Sequence, residues 1–291
     1  MTAPQAFRRL LSEQKIVVAP GCYDCISARV IEKLDFKAVY LTGYGIEASR
    51  LGRPDIGLAS MVEVVDHARN VRESVSLPVI ADADTGYGDV LSVWRTAREF
   101  EKAGVAGIHL EDQMMPKKCG GLPGKIVISR EEMVDKIRAA RDALDNKEFV
   151  IIGRTDSRLT LGMEESKRRI EAYLKAGAEL VLLGDRHTVA ELEEMGKTFP
   201  QKLLICAGIL GWEETILSVN DYAQMGIKML IYPVTGLYAA VKAVMMVYKT
   251  LREKEGLSEA DLIEAGISFD EANELLGFSD WTKKREAYTP K

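Results

Sequence analysis

The sequence predicts an α/β protein built as a closed (β/α)8 barrel of the TIM type with extra C-terminal helices. Two observations lead there: eight short, nearly continuous apolar runs rich in β-formers, and an amphipathic helical stretch between each run and the next. Runs that are apolar almost throughout suit strands buried on both faces, and strict alternation with helices implies parallel pairing through right-handed crossovers. A doubly wound nucleotide-binding sheet is the competing layout, but it more often has about five or six strands and carries a glycine fingerprint. Gly43-Tyr-Gly45 has Ala48 where the third glycine of that fingerprint belongs, and it does not follow the first strand.

Taken in order, the runs are Ile16–Pro20, Ala38–Thr42, Val79–Ala83, Gly107–Asp112, Phe149–Gly153, Leu180–Gly184, Leu203–Ala207 and Met229–Val234. Three are introduced alike, by Lys102-Ala-Gly104, Lys175-Ala-Gly177 and Gln224-Met-Gly226, each a helix C-cap feeding a strand. Beyond the eighth run, Leu237–Glu255 reads as a long helix, and Glu259–Ala265 and Asp270–Leu276 as shorter ones. No linker rich in Pro, Ser or Gly divides the chain, so residues 1–291 are expected to be one barrel domain, with 237–291 as appended helices. Leu275, Leu276, Phe278 and Trp281 give that appendage an apolar surface to cover, and a neighbouring subunit is one candidate.

Composition narrows the partners. With 39 basic and 44 acidic residues the net charge is −5, and no basic face stands out, so nucleic acid is not expected. No uncharged apolar run approaches the roughly 20 residues that span a bilayer, and Arg8, Arg9 and Glu13 interrupt any signal-peptide core. The expectation is a cytoplasmic protein with no membrane partner. Four cysteines in 291 residues are too few for a disulfide scaffold, so each is a small buried hydrophobe or a reactive thiol.

In a barrel of this kind the reactive groups gather at the carboxyl ends of the strands. The third run ends Asp82-Ala-Asp84, and residues two apart on a strand project to the same side. Two adjacent carboxylates repel unless a cation lies near, and hard oxygen ligands favour Mg2+ or Mn2+. Glu111, Asp112 and Gln113 end the fourth run, and Asp55 follows the second. Any one of these acids alone could be a turn or cap; as a set at strand ends they read as a metal site. Arg154 ends the fifth run, either as a fork for substrate oxygens or as a structural partner of Asp156 or Glu111.

After the fourth run comes Pro116-Lys-Lys-Cys-Gly-Gly-Leu-Pro-Gly-Lys125. Two lysines before Cys119 are expected to lower its thiol pKa, and the glycines to let the loop close as a lid. Cys22-Tyr-Asp-Cys25 has no second pair for a zinc site and no thioredoxin-like context. His109 shares a side with Glu111 by strand parity and reads as a hydrogen-bonded barrel-interior residue, His67 falls in a helix, and His187 follows the sixth strand at the mouth.

These motifs, in this order, resemble the isocitrate lyase and phosphoenolpyruvate mutase superfamily over most of the chain: Tyr40-Leu-Thr-Gly-Tyr-Gly45, Asp82-Ala-Asp-Thr-Gly-Tyr-Gly88, Glu111-Asp-Gln113, Pro116-Lys-Lys-Cys-Gly120 and Arg154-Thr-Asp156. The resemblance implies a barrel whose last helix is exchanged between subunits, in a homotetramer made of two such dimers. It implies Mg2+ or Mn2+ held by Asp82 and Asp84, with Asp55 and Glu111 reaching it through water. It implies a 2-oxo or 2-hydroxy carboxylate substrate bound by the backbone amides of Thr42, Gly43 and Tyr44, by Gly120 and by Arg154. Cys119 is then the acid/base that exchanges a proton with an enolate carbon.

Within that superfamily the Lys-Lys-Cys-Gly loop resembles the lyase branch, since the mutase commonly has Asn where Cys119 stands, and the overall likeness is best to 2,3-dimethylmalate lyase, methylisocitrate lyase and petal death protein. The chain departs from the lyases at Gly121, where they have His, at Gly184, where they have Glu, and at Cys206 and Ile209, where they have Asn and a nearby Glu; the missing side chains at Gly121 and Gly184 are expected to leave room and remove charge at the distal end of the substrate. Tyr238 ends Tyr232-Pro-Val-Thr-Gly-Leu-Tyr238, where tricarboxylate enzymes tend to have a cation. The expected function is a Mg2+-dependent lyase that cleaves an alkyl-malate type of 2-hydroxy dicarboxylate to pyruvate or a related 2-oxo acid through an enolate. Alternatives are an oxaloacetate decarboxylase or hydrolase, a carbon–phosphorus mutase, and a non-catalytic metabolite-binding barrel.

Overall fold

A computed structural model gives the fold and describes residues 1–211 and 215–289. Its strands are β1 (Val17–Cys22), β2 (Val39–Leu41), β3 (Val79–Asp82), β4 (Gly107–Glu111), β5 (Val150–Thr155), β6 (Leu180–Leu183), β7 (Leu203–Cys206) and β8 (Met229–Tyr232). They pair in parallel in sequence order, and β8 closes the barrel on β1. Each observed strand end lies within two residues of the apolar run that predicts it.

The helices are α1 (Ala3–Glu13), α2 (Cys25–Lys33), α3 (Gly43–Ile46), α4 (Met61–Ser74), α5 (Val90–Lys102), α6 (Arg130–Ala143), α7 (Arg158–Leu161), α8 (Met163–Ala176), α9 (Val189–Thr198), α10 (Val219–Gln224), α11 (Thr235–Lys254), α12 (Glu259–Ala265), α13 (Phe269–Leu275) and α14 (Phe278–Glu286). Asp24, Ser60, Asp89, Ser129, Thr188 and Ser218 cap their amino ends with side-chain oxygens. At the close of α8, Gly177 takes φ 114°, a left-handed cap that releases the chain into β6. Among the described residues no helix is long and apolar enough to cross a membrane.

Two apolar layers follow from strand parity. Val17, Ala19, Tyr40, Ile80, Val150, Ile152, Leu180, Leu182, Leu204, Met229 and Ile231 fill the barrel, and Phe7 of α1 packs against them. The alternate residues, such as Val79, Ala81, Ile108, Leu110 and Ile151, pack outward against the helices. Stepping two residues along an inward-facing row brings Asp82, Glu111, Arg154 and Cys206 to the carboxyl mouth.

Two expectations change here. β3 stops at Asp82, and Asp84 adopts φ 48°, so strand parity does not link the two acids. Past β8, α11 begins two residues before the expected Leu237, and Phe278–Glu286 forms a helix that periodicity missed. α11 buries only Leu237; Met245, Tyr248, Phe269 and Trp281 of the appended helices are exposed.

Candidate active site

At the mouth, Asp82 is held from several sides. Its Oδ1 lies 2.6 Å from His109 Nε2 and accepts the Asp84 amide at 3.0 Å. Its Oδ2 accepts the Gly43 amide at 3.2 Å. Tyr40 closes the cluster, its hydroxyl 3.1 Å from His109 Nδ1 and 3.4 Å from Asp82. Burial works against the ionised form of Asp82, but His109, Lys117 and Arg154 outweigh it and hold the carboxyl well below its ordinary range.

A residue that the sequence reading left out of the site sits at its centre. Lys117 is buried, and its ammonium bridges Asp55 and Asp84, the latter at 2.5 Å. Burial opposes its charge, yet Asp84, Glu111, Asp55 and Asp82 together keep it protonated. Asp55 is pushed up to about 6, first by burial, and Asp84 and Glu111 are raised for the same leading reason. A lysine in a Gly/Pro-rich loop reads as solvated, so only the convergence of three strand ends could have revealed it.

Arg154 is both a structural partner and a cavity-lining group. Its Nε and Nη2 donate to Asp156 at 2.9 and 3.2 Å, and Nη1 lies 3.0 Å from Glu111 Oε2. Burial disfavours its charge, but Asp156 and Glu111 more than restore it. Asp112 turns away from the mouth and is buried against Arg169 at 2.9 Å and Tyr173 at 2.8 Å. Gln113 instead braces the loop, donating to the Lys118 carbonyl at 2.8 Å and to Asp156 at 3.2 Å.

A cavity of about 340 Å3 opens over these groups. Asp55, Asp82, Thr42, Tyr44, Cys119, Gly120 and Arg154 line it, with Leu122, Leu182, Ile209, Leu210, Pro233 and Val234 as an apolar wall. Asp84, Glu111 and Gly43 lie outside that lining. Of the three amides expected to face a carboxylate, that of Thr42 is taken by the Cys22 carbonyl at 3.1 Å and that of Gly43 by Asp82. Tyr44 meets Tyr238 edge-on, with ring centroids 6.1 Å apart.

Three expectations are corrected. The Cys119 thiol pKa is raised, not lowered: burial and the Asp55 carboxylate exceed the pull of Arg154 and Lys117. Gly184 lines the cavity but opens no extra space in place of a side chain, because a Cβ there would lie 2.5 Å from Asp156 and 2.7 Å from Arg154. The acid at that strand end is Asp185, one residue on, buried against Lys125. His187 does not line the cavity, and burial with Arg158 nearby depresses its pKa to about 4. His109 is an interior residue as expected, His67 bonds the Tyr23 carbonyl at 2.8 Å, and the described cysteines, Cys22 and Cys25 included, are unpaired.

The carboxylate cluster fits a hard divalent cation. Both oxygens of Glu111 are buried without accepting a hydrogen bond, although Arg154 Nη1 lies 3.0 Å from Oε2, and Asp55 and Asp84, raised first by burial, stand beside Asp82 with Lys117 between them. Among the described residues no three His, Cys, Asp or Glu side chains stand assembled as ligands. Mg2+ tolerates that, since it keeps several waters and takes only one or two carboxylates directly.

Known proteins resemble this chain over nearly its whole length. A sequence profile described as phosphoenolpyruvate phosphomutase matches residues 7–252. 2,3-Dimethylmalate lyase of Eubacterium barkeri is 42% identical over 277 residues, covering 95% of each chain. Oxaloacetate acetylhydrolase, solved with 3,3-difluorooxalacetate, superposes with a TM-score of 0.93 at 34% identity, over 100% of this chain and 98% of that one. Phosphonopyruvate hydrolase, solved with oxalate and Mg2+, superposes at 0.87 with 28% identity over 99% of each chain.

Proposed function

Because this chain belongs to the phosphoenolpyruvate mutase and isocitrate lyase family, we infer that it is a Mg2+-dependent carbon–carbon lyase acting on alkyl-substituted malates. The observation that carries this reading is the Cys119 thiol lining the same cavity as Arg154 and the carboxylates Asp55 and Asp82, where burial raises its pKa and so favours the acid form. In cleavage of a 2-hydroxy dicarboxylate the hydroxyl proton passes to a cavity carboxylate, for which Asp55, pushed up to about 6, is suited, the C2–C3 bond breaks, and its electron pair stays on C3 as an enolate of the departing acid. That carbon must then take a proton, which a thiol held in its acid form can give. The products are a 2-oxo acid such as pyruvate and a saturated carboxylate.

The rest of the cavity has matching duties. Asp82 and Asp84 would hold Mg2+ or Mn2+, with Asp55 and Glu111 reaching it through water; when bound, the metal supplies positive charge for the oxyanion that develops as the bond breaks. Arg154, oriented by Asp156, offers its fork to substrate oxygens, with Gly120 close beside it. The substrate carboxylate is assigned to Thr42, Gly43 and Tyr44 at the start of α3. Engagement there requires the Gly43 amide to exchange Asp82 for substrate.

Among the described residues lining the cavity, Arg154 is the one cation, and it is already paired with two acids. A third carboxylate would enter against Leu122, Ile209 and Val234 without a partner and would be desolvated at a loss, whereas an alkyl group gains about 0.8 kcal/mol per buried CH2. Alkyl-malates should therefore exceed methylisocitrate and isocitrate in kcat/KM by more than about tenfold, or about 1.4 kcal/mol. The assay is pyruvate or glyoxylate release under identical Mg2+. Equal turnover of the tricarboxylates would overturn this account of the wall. The likeness to oxaloacetate acetylhydrolase supports oxaloacetate cleavage as a second reading, tested by oxalate release in the same panel.

Assembly as a homotetramer of helix-exchanged dimers is proposed on two features. α11 leaves the barrel with Leu237 as its one buried residue, and between α2 and the ends of β1 and β8 runs an apolar groove of about 530 Å3 lined by Pro20, Ile26, Val30, Leu34 and Phe36. The exposed Phe269, Phe278 and Trp281 on α13 and α14 are of the right character to be covered by a second copy. Light scattering should give the mass of four chains; a monomer at micromolar concentration would exclude the exchange.

A further inference from the structure

We propose that Lys125, which does not line the cavity, is the positioning residue that holds the Cys119 thiol over the site. The proposal rests on the reading of Cys119 as proton donor and adds what fixes it there. The Lys125 ammonium is buried and donates to the Gly120 carbonyl at 2.7 Å, to Asp156 Oδ1 at 2.9 Å and to Asp185. An ammonium has three hydrogens, so these acceptors use all of them. They come from three segments: the loop after β4, the end of β5 and the turn after β6.

This clasp does more than tie down a loop. Asp156 is the carboxylate that takes Nε and Nη2 of Arg154, so Lys125 and Arg154 share one anchor, and the residue after Cys119 is fixed in the same frame as the guanidinium. Gly120 packs so closely that a Cβ would lie 2.4 Å from the Gly184 carbonyl and 2.9 Å from Arg154 Nη2. On the other side of Cys119, Lys117 bonds Asp55, and the Cys119 amide donates to the Asp55 carbonyl at 3.0 Å. The thiol is thus held between two buried lysine clasps. The Lys117 clasp belongs to the acid cluster itself; the Lys125 ammonium reaches the cavity only through Gly120 and Asp156, and neither lines it nor bonds a proposed metal ligand, so Lys125 can be changed without removing a group from the cavity wall.

The test is the rate of Cys119 alkylation by iodoacetamide, followed by peptide mass spectrometry in full-length protein without substrate, with Cys25 on α2 as the internal control for global loosening. Lys125→Met should raise alkylation at Cys119 by at least about tenfold, because a segment that has lost its buried ties opens locally, with Cys25 unchanged. Should burying an unpaired Asp185 unfold that variant, Lys125→Met combined with Asp185→Asn removes both charges, and Asp185→Asn alone weakens the same clasp. Displacing a reacting group by about 1 Å costs roughly 10²-fold, so kcat should fall by that order while KM shifts less than about threefold. Unchanged Cys119 alkylation in a folded variant, or a rise shared by Cys25, would overturn the proposal. If the parent cleaves no alkyl-malate, the lyase reading fails while the alkylation result still decides the clasp.

Discussion

Replacing Cys119 with Ser is expected to lower turnover about 10²- to 10⁴-fold, the range typical of a positioned acid or base, while leaving the fold and KM nearly unchanged. The substitution keeps the size of the side chain but puts a far weaker acid where C3 must be protonated. The pH dependence gives the prediction its sign. Burial and the Asp55 carboxylate hold the thiol pKa above its ordinary value, so the required acid form is present at neutral pH. Turnover should then fall as pH rises through that elevated pKa, and the Ser variant should lack this limb. Pyruvate release measured across pH checks both parts; undiminished turnover in Cys119→Ser, or a parent enzyme that speeds up as the thiol ionises, would remove the thiol from the acid role.

That direction was not legible in the sequence, and the reason is general. Lys117 and Lys118 next to Cys119 suggest a thiolate, but adjacency in the chain says nothing about burial, and here desolvation outweighs the cations. The same blindness hid Lys117, whose ammonium is recruited by Asp55 and Asp84 from two other loops. Gly184 invites the same mistake: a missing side chain reads as empty space, yet Arg154 and Asp156 fill it.

What was legible is what depends on local pattern. Strands apolar on both faces write themselves as continuous runs, and parity along β3, β4, β5 and β7 carries Asp82, Glu111, Arg154 and Cys206 to the mouth. Parity fails one step later, at Asp84, because the backbone there turns left-handed at φ 48°. Asp84 still joins the cluster, but it is brought in by the turn that follows β3 and by Lys117 rather than by the strand. A motif can thus bring a residue to the mouth by a turn where parity expects a strand.

The acid cluster carries the largest expected effect. Asp82→Ala should abolish divalent metal binding and turnover together, since Asp82 is the cavity-lining carboxylate held most firmly in its ionised form. Alanine also strips partners from His109 and from the Gly43 amide, and leaving a buried polar group unsatisfied costs about 1–3 kcal/mol, so a fall in Tm is expected as well. Asp82→Asn separates the two effects, because an amide oxygen can still accept from Gly43 while the charge is gone. Titration calorimetry with Mg2+ should detect no binding to either variant, with Asp82→Asn melting closer to the parent. In the parent, Mg2+ should raise Tm, because a ligand bound only by the folded state stabilises it by mass action, and that rise should vanish in Asp82→Asn. Mg2+ binding to Asp82→Asn as tight as in the parent would move the metal to other carboxylates, and with it the origin of the charge that assists bond cleavage.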